Sequence, residues 1–118
     1  MQHSKEFIAL CEDVKKRIKE LNVDEVKQGL KKNRFDYLID VRDADEFEAG
    51  HIPDALHLSK GWCEAKIHHH VNQKDASIVL YCGGGNRSAL VADNLQKMGY
   101  TQVFSMIGGY KAWVNSDS

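Results

Sequence analysis

Apolar and polar residues follow two distinct patterns along this chain. Short, largely apolar runs predict strands at residues 37–41, 55–58, 77–81 and 102–106, and the runs at 37–41 and 77–81 are typical of buried strands. Between these runs, apolar residues recur at intervals of three and four, which predicts amphipathic helices. Because strands and helices alternate, we expect an α/β fold with a mainly parallel sheet.

Polar residues at the predicted helix starts support these elements. Asn22 with Glu25, and Asp43 with Glu46, match the capping-box pattern that marks the first turn of a helix. Ser59 is a suitable N-cap for a further helix that leads to residues 68–70. The predicted helices therefore begin directly after loops that connect them to the strands.

The first residues form a separate amphipathic segment. Its apolar stripe consists of Phe7, Leu10, Cys11, Val14, Ile18 and Leu21. A short strand can replace the last turn of this helix, near residues 18–21. We expect residues 1–21 to be an N-terminal helical extension packed on a single domain formed by residues 22–118.

Charge and hydropathy narrow the choice of partners and location. The chain has 118 residues, with 16 basic and 17 acidic side chains and a formal net charge of −1. Nucleic-acid and anionic-membrane partners usually require a basic surplus, so we expect neither. No apolar run approaches the ~20 residues of a membrane-spanning helix, and the charged N-terminus lacks a signal-peptide core. We therefore expect a cytoplasmic protein.

The segment that follows the predicted strand at 77–81 is the most informative for chemistry. It consists of Cys82, Gly83, Gly84, Gly85, Asn86, Arg87 and Ser88. A cysteine at the carboxyl end of a parallel strand lies where open α/β sheets bind ligands. Consecutive glycines allow positive φ angles and inward-facing amides, and a helix from Ser88 adds its positive dipole end. These groups would form an anion cradle that favours the Cys82 thiolate, with Arg87 placed to bind a sulfur oxyanion such as thiosulfate.

An ordinary buried cysteine beside a glycine-rich turn is the alternative interpretation of Cys82, and the surrounding glycines, arginine and helix start argue against it.

Cys11, Cys63 and Cys82 are an odd number of cysteines at irregular spacing, which does not indicate a disulfide framework or a zinc site. We expect Cys11 and Cys63 to pack in the core, and Trp62 either to pack there or to shape the site mouth. Adjacent histidines at 68–70 do not share a helix face, so a solvated helix end is favoured over a metal site.

Several further motifs lie outside the cysteine loop. They are Asp40-Val41-Arg42, Glu46-Phe47, Gly50-His51-Ile52-Pro53-Asp54-Ala55, Tyr81-Cys82 and Gly108-Gly109-Tyr110 with Trp113. In this order they resemble the rhodanese-like domain family, over residues 22–114. The resemblance implies a small α/β fold whose mainly parallel sheet of about five strands has helices on both faces.

The resemblance also implies an activity. A sulfurtransferase of this family would carry sulfur on Cys82 as a persulfide, taken from thiosulfate or a persulfide donor and passed to cyanide or a thiol. The acceptor could be a small thiol or a thioredoxin-like protein, the chain could be a monomer or a homodimer, and no metal or organic cofactor is implied. Asp40 and Arg42 would support the site as an ion pair, Glu46 would cap a helix and could meet Arg42, and His51 would brace a loop.

Two other functions remain open on the same fold. Related phosphatases and arsenate reductases place one more residue between the cysteine and the arginine than the four found here, which argues against that chemistry. A persulfide carrier or sulfur-sensing module would keep Cys82 as well, so the sequence does not exclude it.

Overall fold

Strands and helices alternate along residues 3–116, which are the residues that the computed structural model describes. The strands are β1 (Lys19–Leu21), β2 (Tyr37–Asp40), β3 (Leu56–His57), β4 (Ser77–Tyr81) and β5 (Gln102–Met106). The helices are α1 (Lys5–Lys15), α2 (Val23–Lys31), α3 (Ala44–Ala49), α4 (Trp62–Lys66), α5 (Asn86–Lys97) and α6 (Gly109–Asn115). Residues 1–2 and 117–118, which the predicted segments include, lie outside the described part.

The five strands form one parallel sheet in the order β1-β5-β4-β2-β3. Strand β4 lies at its centre and is buried along its whole length. Side chains alternate between the two faces of a strand, so Ile78 and Leu80 pack on one face with α4 and α5. Val79 and Tyr81 pack on the other face with α2 and α6. The predicted α/β fold, with helices on both faces of a parallel sheet, is confirmed.

The N-terminal segment is joined to this sheet. Strand β1 pairs with β5 at the edge, so residues 19–21 belong to the sheet although we placed them in the extension. Helix α1 packs against α5. Arg17, just after α1, makes an ion pair with the buried Asp93 of α5 at 2.8 Å.

Several predicted boundaries need correction. Helix α4 begins at Trp62 with Gly61 as its N-cap, rather than with the predicted N-cap Ser59, because the left-handed backbone of Gly61, with φ at 91°, interrupts the turn that follows Ser59. Helix α5 begins at Asn86, two residues before Ser88. The capping box predicted at the start of α2 is present, as Asn22 and Glu25 exchange both hydrogen bonds.

The remaining sequence candidates are placed as follows. Cys11 and Cys63 are buried as expected, and burial raises the pKa of Cys63 to about 12. Trp62 is 62% exposed, which excludes packing in the core, one of its two expected roles; its ring lies under the Lys66 ammonium. Residues 68–70 are exposed. No helix within residues 3–116 has both the length and the apolar character to cross a bilayer.

Candidate active site

Cys82 lies at the carboxyl end of the central strand β4, where the loop turns into α5. Only 1% of the residue is exposed, but it lines a cleft of about 800 Å³. We call this the Cys82 cleft; its lining residues are His3, Phe7, Asp43, Glu46, Lys60, Cys82, Gly84, Asn86 and Arg87. The thiol therefore lies at the base of a cleft rather than inside a closed core.

Two backbone amides donate hydrogen bonds to the Cys82 sulfur. The Gly85 N–H donates to Sγ at 3.1 Å and the Ser88 N–H donates at 3.3 Å. The Ser88 hydroxyl lies 3.5 Å from Sγ and is itself bonded to the Ser105 hydroxyl at 2.8 Å. Donors at this end of α5, together with the helix dipole, stabilise negative charge on the sulfur. The loop can thus favour a thiolate or an anionic persulfide at Cys82.

The three loop glycines do not share one conformation. Of the three, only Gly85 adopts a left-handed backbone, with φ at 101°, so the positive φ that consecutive glycines allow is used at one position. A Cβ on Gly85 would also lie 3.2 Å from the Gly108 amide nitrogen. Gly85 is therefore required both for the turn that aims its amide at Cys82 and for close packing against the next loop.

Arg87 lines the Cys82 cleft and forms an ion pair there with Glu46. Its terminal nitrogens donate to both carboxylate oxygens of Glu46, at 3.0 and 3.2 Å. The Arg87 guanidinium holds the pKa of Glu46 below its usual range, and Glu46 in turn raises the pKa of Arg87. Glu46 also accepts from the Asp43 amide at the start of α3. The predicted cap is present, but the expected meeting of Glu46 with Arg42 is replaced by an ion pair with Arg87.

Asp40 and Arg42 lie beneath the site and do not line the cleft. Both are buried, and their side chains form an ion pair at 2.8 Å. Arg42 also donates to the Gly50 carbonyl and stacks over the Tyr110 ring, 4.3 Å from its centroid. His51 bonds through Nδ1 to the backbone of α3 and lies apart from the cysteine. These contacts connect the loops that follow β2 and α3 to the start of α6.

The first turn of helix α6 packs against the cysteine loop through backbone hydrogen bonds, a contact that the sequence analysis did not predict. The amides of Tyr110 and Lys111 donate to the carbonyls of Cys82 and Gly83, at 2.7 and 3.1 Å. A Cβ on Gly109 would lie 2.3 Å from the Cys82 carbonyl oxygen. The Gly108-Gly109 pair was the available signal, since it allows two backbones to approach this closely.

Helix α1 forms one wall of the Cys82 cleft, which was also not predicted. His3 and Phe7 line the cleft, with their ring centroids 4.8 Å apart. The Lys15 ammonium donates to the Asn86 side chain at 3.0 Å, so the helix also contacts the cysteine loop. Phe7 was assigned to the apolar stripe of the helix, but that stripe alone did not indicate a site.

A model of the family described as the rhodanese-like domain matches residues 22–116. The chain belongs to the rhodanese-like domain family. Helix α1 precedes the matched residues, and the whole cysteine loop lies within them.

Relatives and solved structures resemble this chain in sequence or in fold. The thiosulfate sulfurtransferase GlpE of Coxiella burnetii is 38% identical over 86 residues, which are 71% of this chain and 77% of that protein. The human single-domain sulfurtransferase TSTD1 superposes with a TM-score of 0.74 at 24% identity, covering 84% of this chain and 97% of that one. A Rhodopseudomonas palustris protein of unknown function, described as a possible tyrosine phosphatase, superposes with a TM-score of 0.81 at 26% identity, covering 98% and 93%.

Proposed function

We propose that this rhodanese-like protein is a sulfurtransferase that carries sulfane sulfur as a persulfide on Cys82. The observation that carries the proposal is the pair of amides, from Gly85 and Ser88, that donate to Sγ at the base of an open cleft. The likeness to the Coxiella burnetii thiosulfate sulfurtransferase GlpE supports it. No metal or organic cofactor is needed for the chemistry.

The reaction proceeds in two displacement steps. The Cys82 thiolate attacks the outer sulfur of thiosulfate; an S–S bond forms on Sγ, the S–S bond of thiosulfate breaks, and sulfite leaves with the electron pair. A thiolate or cyanide then attacks the outer sulfur of the persulfide. The bond to Sγ breaks, and Cys82 leaves as a thiolate ready for another cycle. A persulfide donor loads Cys82 in the same way and releases its thiol.

Backbone amides take the place of a general base in this mechanism. They stabilise the charge on sulfur before attack and when Cys82 leaves, as an oxyanion hole does for oxygen. Within residues 3–116, the groups in hydrogen-bonding range of the Cys82 sulfur are the two amides and the Ser88 hydroxyl. A thiolate prepared in this way needs no histidine beside it.

Intact-mass measurement after incubation with thiosulfate tests the proposal. We expect one added sulfur, about 32 Da, on the wild-type protein, and its removal by cyanide or a thiol. Cys82→Ser should take up no sulfur, whereas Cys63→Ala, which removes a deeply buried thiol, should load normally. Loading that persists in Cys82→Ser would reject Cys82 as the sulfur carrier.

Turnover distinguishes transfer from the other functions. Repeated thiosulfate:cyanide transfer by the wild type supports an enzyme, whereas one sulfur loaded and discharged only to a particular protein would indicate a carrier. Cys82-dependent hydrolysis of an aryl phosphate would instead favour the activity suggested for the Rhodopseudomonas palustris protein. We expect no such hydrolysis, because the loop has only four residues between Cys82 and Arg87.

A further inference from the structure

Asn86 lies between the two residues whose amides donate to the Cys82 sulfur. Gly85 precedes it and Ser88 follows two positions later, and both N–H groups donate to Sγ, at 3.1 and 3.3 Å. Asn86 is also the first residue of α5, and it lines the Cys82 cleft. Its side chain is therefore in the same cleft as the reacting sulfur, at the segment of the loop that wraps around it.

Lys15 of helix α1 determines how the Asn86 amide is oriented. The Lys15 ammonium donates to the Asn86 Oδ1 atom at 3.0 Å. An ammonium group has only donors, and the NH2 group of an amide is also a donor, so the amide atom that meets Lys15 must be the oxygen. The NH2 group of Asn86 is consequently turned away from Lys15.

The Asn86 NH2 group is left without a hydrogen-bond partner among residues 3–116. Every fully buried side-chain nitrogen or oxygen atom in that part of the chain does have a partner. The Asn86 Nδ2 atom must therefore be accessible, and the half-buried Asn86 side chain lines the cleft. Its two N–H groups can thus donate to a ligand bound there.

The charges around this amide favour an anionic ligand. Arg87 is already engaged by both carboxylate oxygens of Glu46. Lys15 has no ion-pair partner in the described part of the chain, so its charge is not neutralised where it meets Asn86. A cation bonded to the oxygen of an amide polarises it and strengthens donation by its NH2 group. Lys60 also lines the cleft, but its exposed side chain makes no hydrogen bond within residues 3–116 that would fix it.

We propose that the Asn86 amide, oriented by Lys15, binds the sulfonate oxygens of an anionic sulfur donor such as thiosulfate; this rests on the sulfur transfer proposed above. As Cys82 takes the outer sulfur, the S–S bond of the donor breaks and its electron pair leaves with sulfite. Negative charge on the sulfonate oxygens grows during this step, so an N–H donor binds them more strongly in the transition state than before attack. Asn86 selects the donor, and Lys15 is a positioning residue.

The ratio of two loading rates measures this selection. Cys82 is loaded at subsaturating donor, either with thiosulfate or with the persulfide of 2-mercaptoethanol, which has no sulfonate group. Sulfur uptake is followed by intact mass. A substitution that only displaces the loop slows both donors, so the ratio of the thiosulfate rate to the persulfide rate is kept. A substitution that removes a contact with the sulfonate lowers this ratio.

Asn86→Ala should lower the ratio about tenfold, the loss typical of one hydrogen bond to a charged group. Asn86→Asp, which has the same shape but only acceptor oxygens, should lower it further, because its carboxylate repels the sulfonate. Lys15→Met should lower it about threefold, since the amide then loses its polarising cation and can turn its oxygen toward the cleft. Lys16→Met is the matched control: it removes the same charge from the next residue, which is exposed and does not line the cleft, and should keep the wild-type ratio.

The double variant separates positioning by Lys15 from a direct effect of its charge on the donor. If Lys15 acts through Asn86, Lys15→Met should lower the ratio no further in an Asn86→Ala background. A further loss there would overturn the positioning role of Lys15. An unchanged ratio in Asn86→Ala would overturn the whole inference while leaving sulfur transfer intact, whereas a wild-type protein that loads with neither donor would reject the proposed function itself.

Discussion

The Arg87 guanidinium and the Glu46 carboxylate meet in a two-point ion pair, with nitrogen–oxygen distances of 3.0 and 3.2 Å. Arg87 lies in the first turn of α5, directly after the cysteine loop, and Glu46 lies in α3 across the Cys82 cleft. A two-point pair restrains both position and orientation of the guanidinium. The pair therefore clamps the end of the loop whose amides hold the Cys82 sulfur.

Breaking the ion pair between Arg87 and Glu46 should slow the loading of Cys82 by the same factor for every sulfur donor. We expect Arg87→Ala and Glu46→Ala each to slow Cys82 persulfide formation by a similar factor with thiosulfate and with an uncharged persulfide. The double variant should be little slower than either single one, because both changes break the same contact. A coupling of roughly 0.5–1 kcal/mol should appear in urea unfolding, as for partly exposed pairs. A loss confined to thiosulfate would show instead that Arg87 binds the donor anion.

Gly109 should tolerate no side chain. Its φ is 59°, and a Cβ would lie 2.3 Å from the Cys82 carbonyl oxygen. Gly109→Ala should lose about 1–3 kcal/mol from backbone strain alone, more from the clash, and should slow persulfide formation by displacing the loop. Urea unfolding and intact-mass loading measure the two effects. Gly84→Ala is the stability control: Gly84 has open space around it, so its loss should stay within about 0.5 kcal/mol.

The sequence predicts those parts of the fold that local patterns determine. Strand β4 was predicted because Ser77 is followed by a continuous apolar run at 78–81, which is typical of a central strand buried on both faces. The start of α2 was predicted because Asn22 and Glu25 satisfy each other's backbone within one turn. Cys82 was singled out as the candidate nucleophile because its loop concentrates glycines and a helix start at the end of that strand, and the structure places it in the cleft. In each case the decisive interactions lie within a few residues.

The missed features connect residues that are distant in sequence. Glu46 and Arg87 lie on separate helices, and Ser88 meets Ser105 only because β5 packs beside β4. No local signal predicts which partner a charged or hydroxyl side chain will find. The start of α4 was wrong for a different reason: Ser59 fits the N-cap pattern, yet Gly61, two residues later, takes a left-handed φ of 91° and becomes the N-cap.

Acid should weaken the attachment of α1 to the domain through Asp93. Its ion pairs with Arg17 and Lys97 lower the pKa of Asp93 below the usual value of about 3.9. A carboxylate with a lowered folded-state pKa contributes stability above its unfolded pKa and loses it as pH falls through the folded value. We expect the difference in thermal midpoint between wild type and Asp93→Asn to be constant from pH 7 to about 4 and to shrink below it. A difference that persists unchanged at pH 3 would contradict this assignment.

Phe7 should influence which acceptors use the Cys82 persulfide. Its ring lines the cleft from α1, so Phe7→Ala removes apolar surface that an aromatic thiol can contact. We expect discharge by thiophenol to slow about fivefold, corresponding to roughly 1 kcal/mol of lost burial, and discharge by cyanide to change little. Ile8→Ala, one residue along the same helix and exposed, serves as the control. Equal effects of Phe7→Ala and Ile8→Ala would indicate a general loosening of α1 instead.

Helix α1 precedes the residues that the rhodanese-like domain model matches, yet it contributes to the lining of the Cys82 cleft. The sulfur-holding amides come from residues inside the match, whereas Phe7 and His3 reach the cleft from outside it. Substitutions at these two positions would change that wall without replacing any residue that hydrogen-bonds the Cys82 sulfur. One wall of the cleft is thus supplied by residues that the family does not share, while the groups that hydrogen-bond the nucleophile lie within the shared part.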